Sequence, residues 1–376
     1  MEKQSSNILM IASSESDANL YYATGFMAPD SFVFIQTSSK KYLLMSDLEV
    51  DRARSQAPSC QVLSTSKLAA DYRKKYDKRP GYVDLIEEFA KEKNIKSFLV
   101  PGNFSIEYAD PLRKRGFEIQ FKHDPFFEER TVKSKKEIAA ITKTLRFTED
   151  AVTAAIQTIK KSVIKRGKLY LRGKALTCED IKKIINVKLM ENNCIASHSI
   201  VACGIDGVDP HNQGSGPLYA NQSIIMDIFP RDSESRYFAD LSRTVVRGKA
   251  SPKLKKMFEA VKEGQEIAFK SIRDGADGSL IHGAIQKRFE ELGFHTGVQN
   301  GRMQGFFHGT GHGLGLDIHE PPRISLGKDI LKTGQVVTVE PGLYYEDAGG
   351  IRLEDDVVVT KTGCLNLTKI PRILEV

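Results

Sequence analysis

A carboxylate inside an apolar, strand-like run is costly to bury unless a cation or a hydrogen-bond donor compensates it. The carboxyl-terminal half of this chain does this repeatedly. Asp227 sits in SIIMDIF, Asp240 in FADLSRT, Glu340 in VVTVEPGLYY and Glu354 in GGIRLEDD, while FHGTGHGLGLDIHE sets His312 among glycines. Four carboxylates and one imidazole form a hard, oxygen-rich donor set with a single nitrogen. Such a set suits two divalent ions such as manganese, cobalt or zinc. A fold that uses it must bring five separate segments to one point.

Asp227 and Asp240 lie in a strand, turn, strand pattern: Ile224 to Phe229, Pro230 to Ser235, Tyr237 to Leu241. An even number of residues separates them, so a hairpin can set them opposite each other on one face. Facing carboxylates repel unless a cation neutralises them; the other reading is that one of them faces solvent, as acids commonly do. His308, His312 and His319 share a loop whose glycines at 309, 311, 313 and 315 each disfavour helix by about 1 kcal/mol relative to alanine. A helical HExxH site is therefore disfavoured, and histidines between the glycines argue against a dinucleotide loop. Glu340 ends an apolar run. In Gly350 to Asp356, strand alternation puts Arg352 and Glu354 on one face and Ile351 and Leu353 on the other.

A chain of 376 residues exceeds one compact core, which predicts two domains. Residues 1–127 alternate short apolar runs with amphipathic spacing, as in an α/β domain: strands at Ile8 to Ala12, Ser31 to Gln36, Lys41 to Met45 and Ser97 to Val100, and a helix at Tyr82 to Lys93. Residues 128–376 read as an α+β domain. Ser134 and Glu137 make a capping box for a long helix, with Ile138, Ile141, Leu145, Val152, Ile156, Ile159 and Val163 as its buried stripe. Further helices are expected over Cys178 to Asn192, Pro252 to Asp274 and Gly278 to Leu292. Strands are expected over Ser199 to Ala202, Ser223 to Phe229, Tyr237 to Val246, Gln335 to Val339 and Gly350 to Thr360.

The net charge of +7 is modest, and acids interrupt the basic stretches Asp71 to Arg79 and Arg113 to Lys136, so they read as solvated surface and no nucleic-acid partner is expected. Cys60, Cys178, Cys194, Cys203 and Cys364 lack metal or disulfide spacing, which points to reduced thiols and a cytoplasmic protein. The apolar run within Met1 to Ser16 is too short for a signal peptide, and no later run approaches the ~20 apolar residues of a membrane span.

The order Asp, Asp, His, Glu, Glu in DLSRT, GTGHGLGLDIHE, TVEPGLY and GGIRLEDD resembles the pita-bread metallopeptidase family of methionine aminopeptidase, aminopeptidase P and prolidase. Asn19 to Phe26 resembles the creatinase/prolidase amino-terminal domain, which favours the aminopeptidase P and prolidase branch. The resemblance implies an α/β creatinase/prolidase-type domain followed by an α+β pita-bread catalytic domain with a curved antiparallel sheet. It implies metal ligation by Asp227, Asp240, His312, Glu340 and Glu354, with Asp240 and Glu354 bridging two ions, manganese first among them. His211 in DPHNQGSGPL, His308 and His319 would line the pocket, Arg352 would stand beside the second glutamate, and Tyr344 or Tyr345 would border it.

The implied activity is hydrolysis of Xaa-Pro bonds by a hydroxide held between the two ions. Glu340 would shuttle the proton and His319 would stabilise the oxyanion. The substrate would be a peptide with proline at its second position and the protein a homodimer. The turn between Asp227 and Asp240 carries two residues more than the family's usual interval, which keeps strand parity but can reshape the pocket rim. Alternatives are a small-molecule hydrolase or lyase on the same scaffold, and a non-catalytic peptide- or protein-binding module.

Overall fold

The computed structural model describes residues 7–376, and the chain divides into two compact units, Met1–Arg130 and Thr131–Val376. Residues 1–6, where the segment read against a leader begins, lie outside the described residues. Among the described residues no helix is long and apolar enough to cross a membrane, and all five cysteines are free.

In the first unit, β1 (Ile8–Ala12), β2 (Phe32–Gln36), β3 (Lys41–Met45), β4 (Cys60–Ser64), β5 (Ser97–Pro101) and β6 (Glu118–Lys122) form one mixed sheet in the order β4-β3-β2-β1-β5-β6. The three central strands pair antiparallel and the outer ones join in parallel. Period-2 alternation splits the apolar side chains between two cores. Leu9, Val33, Ile35 and Leu44 pack with Leu85, Ile86 and Phe89 of the helix Tyr82–Glu92; Met10, Phe32, Phe34 and Leu43 pack on the other face with Leu20 and Phe26. The edge strands β4 (CQVLS) and β6 (EIQFK) mix polar with apolar residues and are less buried than the central strands, so pairing more than composition identifies them. The basic stretch from Asp71 falls largely in the helix Thr65–Tyr76, which has no buried residue, and Lys75 pairs with Glu88 at 2.7 Å.

In the second unit the long helix runs Lys135–Lys161. Ser134 Oγ accepts from the Glu137 amide at 3.3 Å, and Glu137 returns a carboxylate oxygen to the Ser134 amide at 2.7 Å. Ile141, Leu145, Val152 and Ile159 are buried. Val163 departs from the expected stripe. The chain is extended at Ser162, Val163 opens a short strand, and its side chain is 66% exposed, because the period changes from 3.6 to 2 at the helix end. The helices Cys178–Met190, Pro252–Ser271 and Gly278–Glu291 follow.

Three antiparallel sheets carry the acidic segments. The first contains β7 (Ile200–Cys203), β8 (Ser223–Ile228) and β9 (Leu241–Val246), with β8 central. Next come β10 (Gly311–Gly313), β11 (Glu320–Ile324), β12 (Val336–Val339), β13 (Gly342–Tyr345), β14 (Gly349–Arg352), β15 (Asp355–Val359) and β16 (Cys364–Asn366). Of these, β13 and β14 form a hairpin, and the others form a five-stranded sheet in the order β11-β10-β12-β15-β16. Two expected strands are shorter than their apolar runs. Tyr237 to Asp240 precedes β9, and the run Gly350 to Thr360 breaks at Leu353 and Glu354 as the chain passes from one sheet to another.

Replacing Ser134 by alanine removes the hydroxyl half of the capping box, so urea denaturation should report a loss of about 1 kcal/mol with an unchanged m-value.

Candidate active site

Each of the five segments delivers its residue at or near a strand end. Asp227 is the penultimate residue of β8, Asp240 precedes β9, His312 is the middle residue of β10, Glu340 follows β12 and Glu354 bridges β14 and β15. All five line one cleft of about 920 Å³, which His211, His308, His319 and Arg352 also line. The tightest group is Asp240, His312 and Glu354, all buried, with one potential ligand atom from each within 4.8 Å of the others. His312 Nε2 is also 3.4 Å from Glu340 Oε1.

The two aspartates are not opposite each other, as the sequence had suggested. Asp227 pairs with Ser242 and Ile228 with Leu241, so Asp240 is two residues from the facing position. Parity keeps it on the same face, as a diagonal neighbour. The offset has a local cause: the hairpin closes between Asp232 and Tyr237, with Arg231 bridged to Phe238, and that register sets Asp227 against Ser242, while Arg231 and Asp232 also pair on their other side with Ile195 and Cys194.

Arg352 organises the acidic cluster. Its guanidinium donates to Asp227 Oδ2 at 2.7 Å, to Ser242 Oγ at 3.1 Å and to the Tyr344 hydroxyl at 3.0 Å. Ser242 in turn donates to Glu354 at 3.0 Å. The Tyr344 hydroxyl lies 2.9 Å from His308 Nε2, and His308 Nδ1 faces the Gly309 carbonyl at 2.8 Å. That carbonyl requires a proton on Nδ1, so Nε2 accepts from tyrosine. The other tyrosine, Tyr345, donates to the His295 carbonyl instead, and neither tyrosine is among the residues that line the cleft.

His312 is held by the same logic. Its Nδ1 is 3.1 Å from the Gly313 carbonyl, which leaves the Nε2 lone pair aimed at Asp240 and Glu340. The close approach of β10 to β12 depends on Gly311, where a Cβ would meet the Thr338 carbonyl oxygen at 2.0 Å.

Burial raises the carboxyl of Glu340 to about 8, with the Asp227 charge adding to it and Arg352 opposing. Burial first, then neighbouring acids, also holds Asp240 and Glu354 well above the usual carboxylate range. Burial lowers His312 and His308 to about 3. These are the shifts of a site built around positive charge that the protein itself does not supply in full. Asp227 Oδ1 and Asp240 Oδ1 are buried with no hydrogen-bond partner among the described residues. Orphaned carboxylate oxygens beside a neutral imidazole nitrogen fit divalent cations.

Several neighbours of the site were not singled out from sequence. Ser242 and Asp356 act within it: Asp356 accepts the Asp240 amide at 3.2 Å. Arg243 ties Asp355 at 2.8 Å and the Glu354 carbonyl at 2.7 Å, both partners buried. The run Glu354-Asp355-Asp356, three consecutive acids leading an apolar strand, was the available signal. His198 and Arg323 line the cleft without a local pattern that marks them.

A cleft with this donor set, on an α+β unit preceded by an α/β unit, defines a metallohydrolase architecture. Residues 139–361 match metallopeptidase family M24, and residues 1–95 match the creatinase/prolidase N-terminal domain. The chain belongs to metallopeptidase family M24 and has its pita-bread fold. It is 27% identical to a Xaa-Pro dipeptidase of Pyrococcus horikoshii, over 99% of this chain and 95% of that protein. Among solved structures, the prolidase from Pyrococcus horikoshii aligns with a TM-score of 0.79 at 26% identity, covering 99% of this chain and 96% of that one. An X-Pro aminopeptidase from Thermotoga maritima shares the fold, with a TM-score of 0.81 at 24% identity over 99% and 98% of the two chains.

The raised carboxyl groups give the metal-free protein a defined pH dependence. Above about pH 7.5 the histidines that burial keeps neutral in the fold, His308, His312 and His319 among them, have also lost most of their protons in the unfolded chain and add little slope. The folded state still holds protons that the unfolded carboxylates have lost, so stability falls as pH rises towards the Glu340 value of about 8. Thermal unfolding between about pH 7.5 and 8.5 should show this loss, up to about 1.4 kcal/mol per pH unit for each proton retained. Glu340→Gln should flatten the slope, and so should saturating manganese.

Proposed function

We propose that this protein is a metal-dependent Xaa-Pro peptidase, an aminopeptidase or dipeptidase that cleaves the bond preceding a proline at the second position of a peptide. The observation that carries the reading is the convergence of Asp240, His312 and Glu354, with Asp227 and Glu340 beside them, in a cleft large enough for a short peptide. The names of the relatives point the same way. Asp227, Asp240, His312, Glu340 and Glu354 are the residues that would hold two divalent ions, with manganese the preferred candidate. Bound there, such ions would polarise a scissile carbonyl and lower the pKa of water.

The chain's own groups supply the rest. Glu340, which lines the cleft 3.4 Å from His312 Nε2, takes a proton from the attacking water and passes it to the leaving nitrogen. His319 lines the cleft beside His312 and is the candidate donor to the developing oxyanion, with His211 and His308 bordering the substrate. Arg352 holds and orients Asp227, and through Tyr344 it supports the His308 tautomer. A bond to proline nitrogen offers no amide hydrogen, so recognition falls to walls that accept the ring; Phe229, Phe307 and Ile318 are apolar and line the cleft. Arg323 also lines the cleft and suits the terminal carboxylate of a dipeptide. The reading includes a homodimer, supported by the family resemblance, in a cytoplasmic compartment, supported by the five free thiols.

Manganese-loaded protein should cleave a Xaa-Pro dipeptide or Xaa-Pro-Yaa tripeptide and spare a non-prolyl control. Failure to cleave any peptide at full metal occupancy would exclude peptidase activity and leave a small-molecule substrate or a binding role. Glu340→Gln should lower kcat by about 10²-fold to 10⁴-fold, measured with metal content determined on the same sample.

A further inference from the structure

Lys133 and Glu320 form an ion pair at 2.6 Å with side chains only 1% and 4% exposed. Taking both charges out of water is expensive, and apolar residues of similar volume commonly stabilise a fold as well or better. Stability alone is therefore a poor account of the pair. Its surroundings give a better one.

Glu320 opens β11 and directly follows His319. One carboxylate oxygen, Oε2, takes the Lys133 ammonium; the other, Oε1, accepts the Asp317 amide at 3.1 Å, so one side chain closes the turn from Asp317 to Glu320. The lysine is anchored in its turn, because its own amide donates to the Gly334 carbonyl at 2.8 Å, just ahead of β12. Gly315 presses on the pair from the preceding loop. A Cβ at Gly315 would meet Glu320 Oε2 and Lys133 Cε, each at 2.9 Å, so no larger residue fits without moving them. The turn fixed in this way carries His319 to the cleft, where its ring stands edge-on to His312 with centroids 4.4 Å apart.

We propose that the buried Lys133–Glu320 ion pair is a positioning device for His319, holding the Asp317 to Glu320 turn so that the imidazole meets the substrate carbonyl oxygen. This rests on the reading of His319 as the oxyanion donor. Neither Lys133 nor Glu320 lines the cleft. Its geometry, a directional contact at each carboxylate oxygen, is what two apolar side chains would lack.

The test uses the full-length, manganese-loaded enzyme and the double variant Lys133→Met/Glu320→Met, which removes both charges together and avoids an unpaired buried ion. The melting temperature and manganese content should match wild type, while kcat falls at least tenfold with KM within about twofold. The His319 ring resonance in a ¹H–¹³C spectrum of the metal-free protein should shift or broaden in the same variant. Lys133→Arg, which keeps the pair, should retain the wild-type resonance and kcat within about threefold. A folded, metal-loaded double variant with wild-type kcat and an unmoved His319 resonance would overturn the inference. So would loss of manganese, since the pair would then act on the metal ligands. His319→Ala separates the two readings: if it leaves kcat intact, the role of His319 fails whatever the ion pair does. If wild type cleaves no peptide, the resonance still tests the positioning.

Discussion

Like charges crowd one cleft of the second unit. Asp227, Asp240, Glu340 and Glu354 share a cleft in which burial and mutual repulsion push the carboxyl groups of Asp240, Glu340 and Glu354 towards protonation. Such a cluster is tolerated only if the surrounding fold supplies compensating donors and leaves room for cations. Arg352 is the main protein-borne compensation, touching Asp227 directly and Glu354 through Ser242. What it does not neutralise is the charge that bound divalent ions would meet.

The scaffold answers this constraint by placing the acids where sheets end or change. Asp240 and Glu340 flank strands, and Glu354 occupies the break between β14 and β15, where its backbone amide donates to the Ser242 carbonyl at 3.0 Å. The flanking residues Ile351 and Leu353 anchor in the core, so strand alternation drives Arg352 and Glu354 to the cleft side. The histidines are controlled by backbone carbonyls that fix their tautomers. The glycines that disfavoured a helix in sequence let β10 approach β12 closely enough to aim His312 at the acids. The Lys133–Glu320 pair extends the same principle one layer further out, to His319.

Much of the candidate site was visible in the chain because each acid broke an apolar run, and a carboxylate in such a run calls for a local reason. Arg352 and Glu354 could be assigned to one face because alternation is a property of a single strand. Ser242, Asp356 and Arg243 escaped notice, since each matters through a partner more than a hundred residues away in sequence. His198 and Arg323 reach the cleft from segments with no periodicity to mark them. The edge strands of the first unit escaped for a related reason, as their pairing is their main strand signal.

The sequence by itself determined the two-part organisation, the helix at Tyr82 and the longer helices of the second unit with one capping box, the case against a helical zinc motif and the identity of the five candidate ligands. These follow from local chemistry: capping, periodicity, glycine and the cost of isolated acids. Only the tertiary structure decided that Asp227 faces Ser242, that the last acidic run is two strands, and that Asp240, His312 and Glu354 form the tightest group. Register and sheet-to-sheet placement depend on contacts between distant segments. Strand parity constrains the face a side chain takes but not which residue it meets.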